Sequence, residues 1–184
     1  SYTVRVDNTP PTTSISIGEP RYRGNDNAYW NVTSSTTFSL LAVDKGLIPV
    51  GLQRTEYKVD DSPTWITYSG QFNLSGLNDG IHTIHFRSVD YLGNTETEKS
   101  LIVNVDNTPP VTAYILQLED GDTEARISLF ATDIGSGVNF TKYRVDDNDW
   151  VNYSSTFVIN QSGKHTIYFW SVDKLGNAEK EKNL

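Results

Sequence analysis

Three histidines, two adjacent aspartate pairs and a set of single aspartates are the side chains in this sequence that could do chemistry. A nucleophilic triad needs an imidazole between a hydroxyl and a carboxylate. His82, His85 and His165 all fall in the same kind of alternating, β-forming stretch, on the sixth strand of two similar segments, and His82 and His165 occupy matching places. A strand histidine repeated in this way hydrogen-bonds locally. Asp60-Asp61 and Asp146-Asp147 carry the groups for glycosidic acid–base work, but glycosidases set two carboxylates across a cleft, and these are neighbours in turns. The chain has no cysteine, which removes disulfides, thiolate metal sites and cysteine nucleophiles together. These residues read as no enzyme.

The single aspartates carry more. Asp106, Asp133 and Asp173, with Asn107 and Asn177, stand at strand ends, and Asp7, Asp44 and Asp90, with Asn8 and Asn94, match them earlier in the chain. If three strand ends meet at one pole, their oxygens form the kind of group that Ca²⁺ takes, with 6 to 8 oxygen ligands. Asp106, Asp133 and Asp173 are the expected ligands of such a structural ion, and no other cofactor is called for. The opposite pole of the first segment offers Asp60, Asp61, Asn78 and Asp79. The plainer alternative is turn chemistry, because Asp and Asn bond their own backbone and Asn94 and Asn177 suit the left-handed position of a hairpin. The Asp-x-Asp alternation of an EF-hand loop is missing.

A second candidate lies in residues 18–35, a stretch ten residues longer than its later counterpart, with Arg21-Tyr22-Arg23 and Asn27-Ala28-Tyr29-Trp30. Tyr29 and Trp30, beside amide and basic groups, could stack on a sugar ring. The alternative is an added edge strand whose aromatics cover the fold. Five glycosylation triplets, at Asn31, Asn73, Asn139, Asn152 and Asn160, complete the inventory.

What must position these residues is a duplicated β structure. Val6-Asp7-Asn8-Thr9-Pro10-Pro11 returns as Val105-Asp106-Asn107-Thr108-Pro109-Pro110, 99 residues later. His82-Thr83-Ile84-His85-Phe86-Arg87-Ser88-Val89-Asp90 returns as His165-Thr166-Ile167-Tyr168-Phe169-Trp170-Ser171-Val172-Asp173, 83 residues later. The length lost between the copies falls in polar or glycine-containing stretches, where loops tolerate it. Strands are expected at 13–17, 36–43, 54–59, 65–68, 71–75, 81–89 and 97–105, with matching ones in the second copy. On the sixth strand Ile84, Phe86 and Ser88 recur unchanged and should be buried, whereas His85 and Arg87 become Tyr168 and Trp170 and should be wet or half-covered. Trp65 and Trp150 are expected as core or edge anchors.

About seven short strands in some 90 residues is the pattern of an immunoglobulin or fibronectin type III sandwich. The fold class expected is all-β, two tandem seven-stranded immunoglobulin-like β-sandwiches. Residues 1–7 should be the last strand of a preceding repeat or a linker, 8–106 the first module, and 107–184 the second, with its last strand cut short. With no Met even at position 1, an excised or processed piece is expected.

Val-Asp-x-Thr-Pro-Pro, Tyr-x-Val-Asp followed by Trp-x-x-Tyr, and Gly-x-His-Thr-Ile-x-Phe-x-Ser-Val-Asp-x-x-Gly-Asn together resemble the immunoglobulin-like repeat modules of bacterial and archaeal secreted and cell-surface proteins. That resemblance implies an extracellular or cell-surface location and a spacer, stalk or adhesive role. Its partners would be neighbouring repeats of the same chain, and a glycan or surface protein. A carbohydrate- or peptide-binding accessory module of a secreted hydrolase is the second function it implies. The acidic balance, 23 Asp plus Glu against 15 Lys plus Arg with a net charge of −8, disfavours nucleic acid. The short apolar runs hold no helical membrane span.

Overall fold

The computed structural model describes residue 4 and residues 6–24, 28–46, 49–118 and 124–184. The chain divides into two compact units, Ser1–Asp106 and Asn107–Leu184, each built from its own two sheets. Among the described residues there is no helix, and so none long and apolar enough to cross a membrane.

In the first unit β1 (Thr12–Ile17) pairs antiparallel with β4 (Phe38–Val43). The facing sheet runs β2 (Arg21–Arg23), β3 (Trp30–Val32), β8 (Lys99–Val105), β7 (Gly80–Asp90), β5 (Leu52–Val59), β6 (Ile66–Thr67). The second unit places β9 (Val111–Leu118), β10 (Ala125–Thr132) and β13 (Phe157–Ile159) in one sheet. Its other sheet holds β12 (Val151–Asn152), β11 (Val138–Val145), β14 (Ile167–Asp173) and β15 (Lys182–Asn183). In the second unit the first, second and fifth strands thus face the third, fourth, sixth and seventh. This is the two-sheet antiparallel build of immunoglobulin-like and fibronectin type III-like modules.

Alternation explains which residues meet between the sheets. Ile84, Phe86 and Ser88 are buried on β7, and Ile167, Phe169 and Ser171 on β14, while His85, Arg87, Tyr168 and Trp170 are half-covered. Phe38, Ile84, Val32, Leu74, Val103 and Val105 form the first core, closed by Ile15 and Ile17 of β1. Ile127 and Leu129 meet Ile167 and Phe169 in the second. The same ring stack links the layers twice, Tyr57 on Phe72 at 3.8 Å and Tyr143 on Phe157 at 3.9 Å between centroids. Trp65 and Trp150 are half-buried, Trp65 under Lys58 and Arg87 and Trp150 under Arg144.

Several expectations change. The strand expected at 71–75 reduces to one bridge between Phe38 and Phe72. The added stretch of the first copy supplies two strands, β2 and β3, so that unit has eight strands among the described residues rather than seven. β3 joins β8 as a parallel neighbour and covers the edge that β8 would otherwise present. The expectation of a preceding strand or a linker at residues 1–7 is untouched: residues 1–3 and 5 lie outside the described residues, and Val4, Val6 and Asp7 are in no strand. His165 precedes β14 rather than lying on it. The left-handed hairpin positions belong to Gly93 (φ 85°) and Gly176 (φ 93°), not to Asn94 and Asn177.

Candidate functional site at the aspartate pole

Asp7 precedes β1, Asp44 follows β4 and Asp90 ends β7, so three separate segments deliver one carboxylate each. An oxygen from each lies within 4.8 Å of the others. Asp90 is fully buried and Asp7 is 6% exposed. Backbone N–H groups orient all three: Thr9 donates to Asp7 Oδ1 at 2.9 Å and Gly51 to Asp44 Oδ2 at 2.7 Å. Asp90 accepts from the N–H groups of Leu92 and Asn94 at 2.8 and 2.9 Å and from Asn94 Nδ2 at 2.7 Å. Burial alone would raise the Asp90 carboxyl; the Asn94, Leu92 and Gly93 donors outweigh it and hold the group below the usual carboxylate range.

The residues expected as ligands, Asp106, Asp133 and Asp173, are brought together in the same way, each with an oxygen within 4.8 Å of the others. Asp173 repeats the Asp90 bonds, with Leu175 and Asn177 N–H at 2.8 Å and Asn177 Nδ2 at 2.6 Å. Gly137 N–H donates to Asp133 Oδ1 at 2.5 Å, as Gly51 does to Asp44. Turn bonding and carboxylate convergence therefore coexist in these residues, since one oxygen can serve the backbone while the other faces the group.

The histidines are spent on structure. His82 Nδ1 lies 2.8 Å from Asp60 Oδ2 and Nε2 lies 2.9 Å from the Asn78 carbonyl. His165 repeats this with Asp146 at 2.8 Å and the Gln161 carbonyl at 3.2 Å. Two acceptors on one ring call for two N–H donors, which only imidazolium has. Burial would lower the His82 pKa, but the Asp60 and Asn78 oxygens outweigh it and hold it above the ordinary value. At His165 the Asp146 carboxylate raises the pKa. Asp60 and Asp146 both sit at φ 53°, and their other oxygens take Thr83 and Thr166 N–H at 2.8 Å, so each closes a turn rather than facing a cleft.

A polar staple escaped the sequence reading. Thr13 of β1 gives its N–H and hydroxyl to Glu96 at 2.9 and 2.5 Å, and its hydroxyl also meets Ser88 at 2.6 Å. Lys99 Nζ reaches Glu96 at 2.6 Å and the Thr13 carbonyl at 2.8 Å. Thr112, Ser171, Glu179 and Lys182 make the same bonds in the second unit. The signal was available: five polar residues, counting Thr55 and Thr141 beside the serines, recur in both copies.

Trp30 is half-buried against the first core, with the Arg21 and Arg23 guanidinium groups each 5.2 Å from its ring centroid. Tyr29 is half-buried beside it. Asn31 of the first glycosylation triplet is 6% exposed and held by Asn104 at 2.9 Å, while Asn73, Asn139, Asn152 and Asn160 are exposed.

No known family model and no curated protein matches the chain. Among solved structures it is similar to dimeric latent PorU of Porphyromonas gingivalis, at 17% identity and a TM-score of 0.40 over 96% of this chain, which spans 20% of that one. It is also similar to the fibronectin(III)-like modules of Clostridium thermocellum CbhA, at 14% identity and a TM-score of 0.44, covering 92% of this chain and 91% of theirs. The D00-D0 domain of intimin matches at 14% identity and a TM-score of 0.37, covering 92% and 96%.

Proposed function

We propose that the chain is a non-catalytic tandem repeat, a spacer or adhesive array within a larger secreted or cell-surface protein. The observation that carries this reading is the duplicated use of its reactive groups. The His–Asp clamps and the Thr–Ser–Glu–Lys staples appear in both units with the same bonds, and each ties its own sheets and turns together. A catalytic site needs such groups directed at a substrate; here they support the frame twice over. The extracellular setting rests on the sequence resemblance to surface repeat modules. Trp30 favours a structural reading too, since two guanidinium groups attend the ring that would stack on a sugar.

Single-molecule pulling of the whole chain tests the mechanical role. Two separate unfolding events are expected, releasing about 380 and 280 Å of contour at ~3.6 Å per residue. A single event at low force would count against a load-bearing spacer. A glycan and peptide array supplies the competing outcome: binding that disappears in Trp30→Ala would replace the spacer by an accessory binding module.

A further inference from the structure

The two aspartate groups share their backbone bonds but differ in what is left over. Asp7 Oδ2 and Asp44 Oδ1 are shielded from solvent and have no hydrogen-bond partner, two of the five such atoms among the described residues. Both belong to one group, and Asp7 as a whole is 94% buried. Asp7 and Asp90 are buried and Asp44 half-buried, and among the described residues no Lys, Arg or His ion-pairs with any of the three. A buried unpaired oxygen is costly, and two from converging carboxylates ask for a cation that both can reach. Gly46 lies against this group without a side chain: a Cβ there would stand 2.8 and 2.9 Å from the two Asp7 oxygens and displace them.

The second unit has no such orphan in its aspartate group, and its Asp106, Asp133 and Lys174 have further partners. Lys174 stands where the first unit has Tyr91. Its ammonium lies 3.4 Å from the place of a Gly137 Cβ, and Gly137 is the residue whose N–H Asp133 holds. The first unit presents a Tyr91 ring carbon at 3.7 Å from the matching place on Gly51. A resident positive charge thus stands beside the second loop and an aromatic ring beside the first.

We propose that Asp7, Asp44 and Asp90 bind one Ca²⁺ that ties the segment before β1 to the ends of both sheets in the first unit. The donors are all oxygen, which selects a hard cation. They come from three separate segments with no oxygens set out as an octahedron, which suits the flexible coordination of calcium better than the strict octahedron of magnesium. Asp7 Oδ2, Asp44 Oδ1 and an Asp90 oxygen would be the protein ligands. The site is independent of the spacer reading: a glycan-binding module would hold the ion equally well.

The test is calorimetric titration of the whole chain with CaCl₂ after chelator treatment, alongside amide NMR. Saturable binding is expected with a dissociation constant of ~10⁻⁴ to 10⁻³ M, with shifts at the Thr9, Gly51 and Asn94 amides. Asp44→Asn should weaken that binding at least about tenfold, since ligand charge sets affinity, while Asp133→Asn should leave those amide shifts in place. Gly46→Ala, which keeps every carboxylate but crowds Asp7, should weaken it as well and serves if Asp44→Asn does not fold. The proposal is overturned by the absence of binding, as when Asp7 and Asp44 share a proton instead. Equal affinity for MgCl₂ would also overturn it, as would undiminished Thr9 and Gly51 shifts in Asp44→Asn or Gly46→Ala.

Discussion

Glu96→Ala should cost the first unit about 3 kcal/mol, because Glu96 is the hub that pins β1 to the opposing sheet. Its carboxylate is 7% exposed and accepts from Thr13 N–H at 2.9 Å, Thr13 Oγ1 at 2.5 Å and Lys99 Nζ at 2.6 Å. Bonds to a charged group contribute roughly 1.5–3 kcal/mol each, so the two shielded Thr13 bonds carry about 3–6. The Lys99 side chain is 41% exposed and water can replace its partner, so that contact adds little. Water entering the vacated space recovers part of the Thr13 loss, which brings the expectation to the lower end. For a unit of this size about 3 kcal/mol lowers the melting temperature by roughly 12–20 °C. Scanning calorimetry of the whole chain should show one transition moving down while the other, whose Glu179 staple is untouched, stays. Glu96→Gln keeps one acceptor and should fall between. A loss below ~1 kcal/mol, or an equal displacement of both transitions, would show that the apolar core alone holds β1 and that the staple reasoning is wrong.

Stability should be greatest in mildly acidic solution. Both clamp histidines are held above their ordinary pKa, so their contribution is complete below the unfolded value of about 6.5 and is lost as pH rises through the folded one. The depressed carboxyls of Glu56, Asp60, Asp90, Glu96 and Asp146 contribute above their unfolded values and lose that contribution as pH falls through the folded ones. Melting temperatures from pH 3 to 9 check both arms, and His82→Gln with His165→Gln should flatten the alkaline one. Phe38→Ala, at a fully buried position between the sheets of the first unit, should destabilise by about 3–5 kcal/mol in a denaturant titration. Trp30→Ala should loosen β2 from β3, seen as faster amide exchange at the paired Tyr22 and Asn31, without changing exchange in the second unit.

The two copies acted as each other's alignment, and this decided what was legible. Where a whole strand face recurs, as with Ile84, Phe86 and Ser88, burial follows from period alone. Convergence of Asp7, Asp44 and Asp90 was legible as well, because strand order places three ends at one pole. Partnerships across the chain were not. Asp60 lies 22 residues from His82, and Thr13 lies 83 from Glu96, so neither pair shows in a local period. Joint retention of both members in the second copy was the available signal. An added edge strand was legible in residues 18–35, but its pairing was not, because β3 has no counterpart in the second copy and is held by a parallel partner far along the chain.

Two copies can also keep one residue type in different surroundings. Asp44 and Asp133 bond equivalent backbone groups and look alike in sequence, and the ligand expectation fell on Asp133. What separates them is a neighbour on another loop: Tyr91 in one unit and Lys174 in the other. A lysine brought to an acidic loop is a counter-charge that does not dissociate from the chain, whereas a tyrosine leaves the carboxylates to find one in solution. An exchange of these two residues follows from that logic. Tyr91→Lys should stabilise the first unit in chelator and remove its response to calcium, because the ammonium would neutralise the group from within. Lys174→Tyr should destabilise the second unit in chelator and make it responsive. Melting curves of both variants with and without calcium decide it: an unchanged calcium response in each would mean that the counter-charge is not what distinguishes the poles.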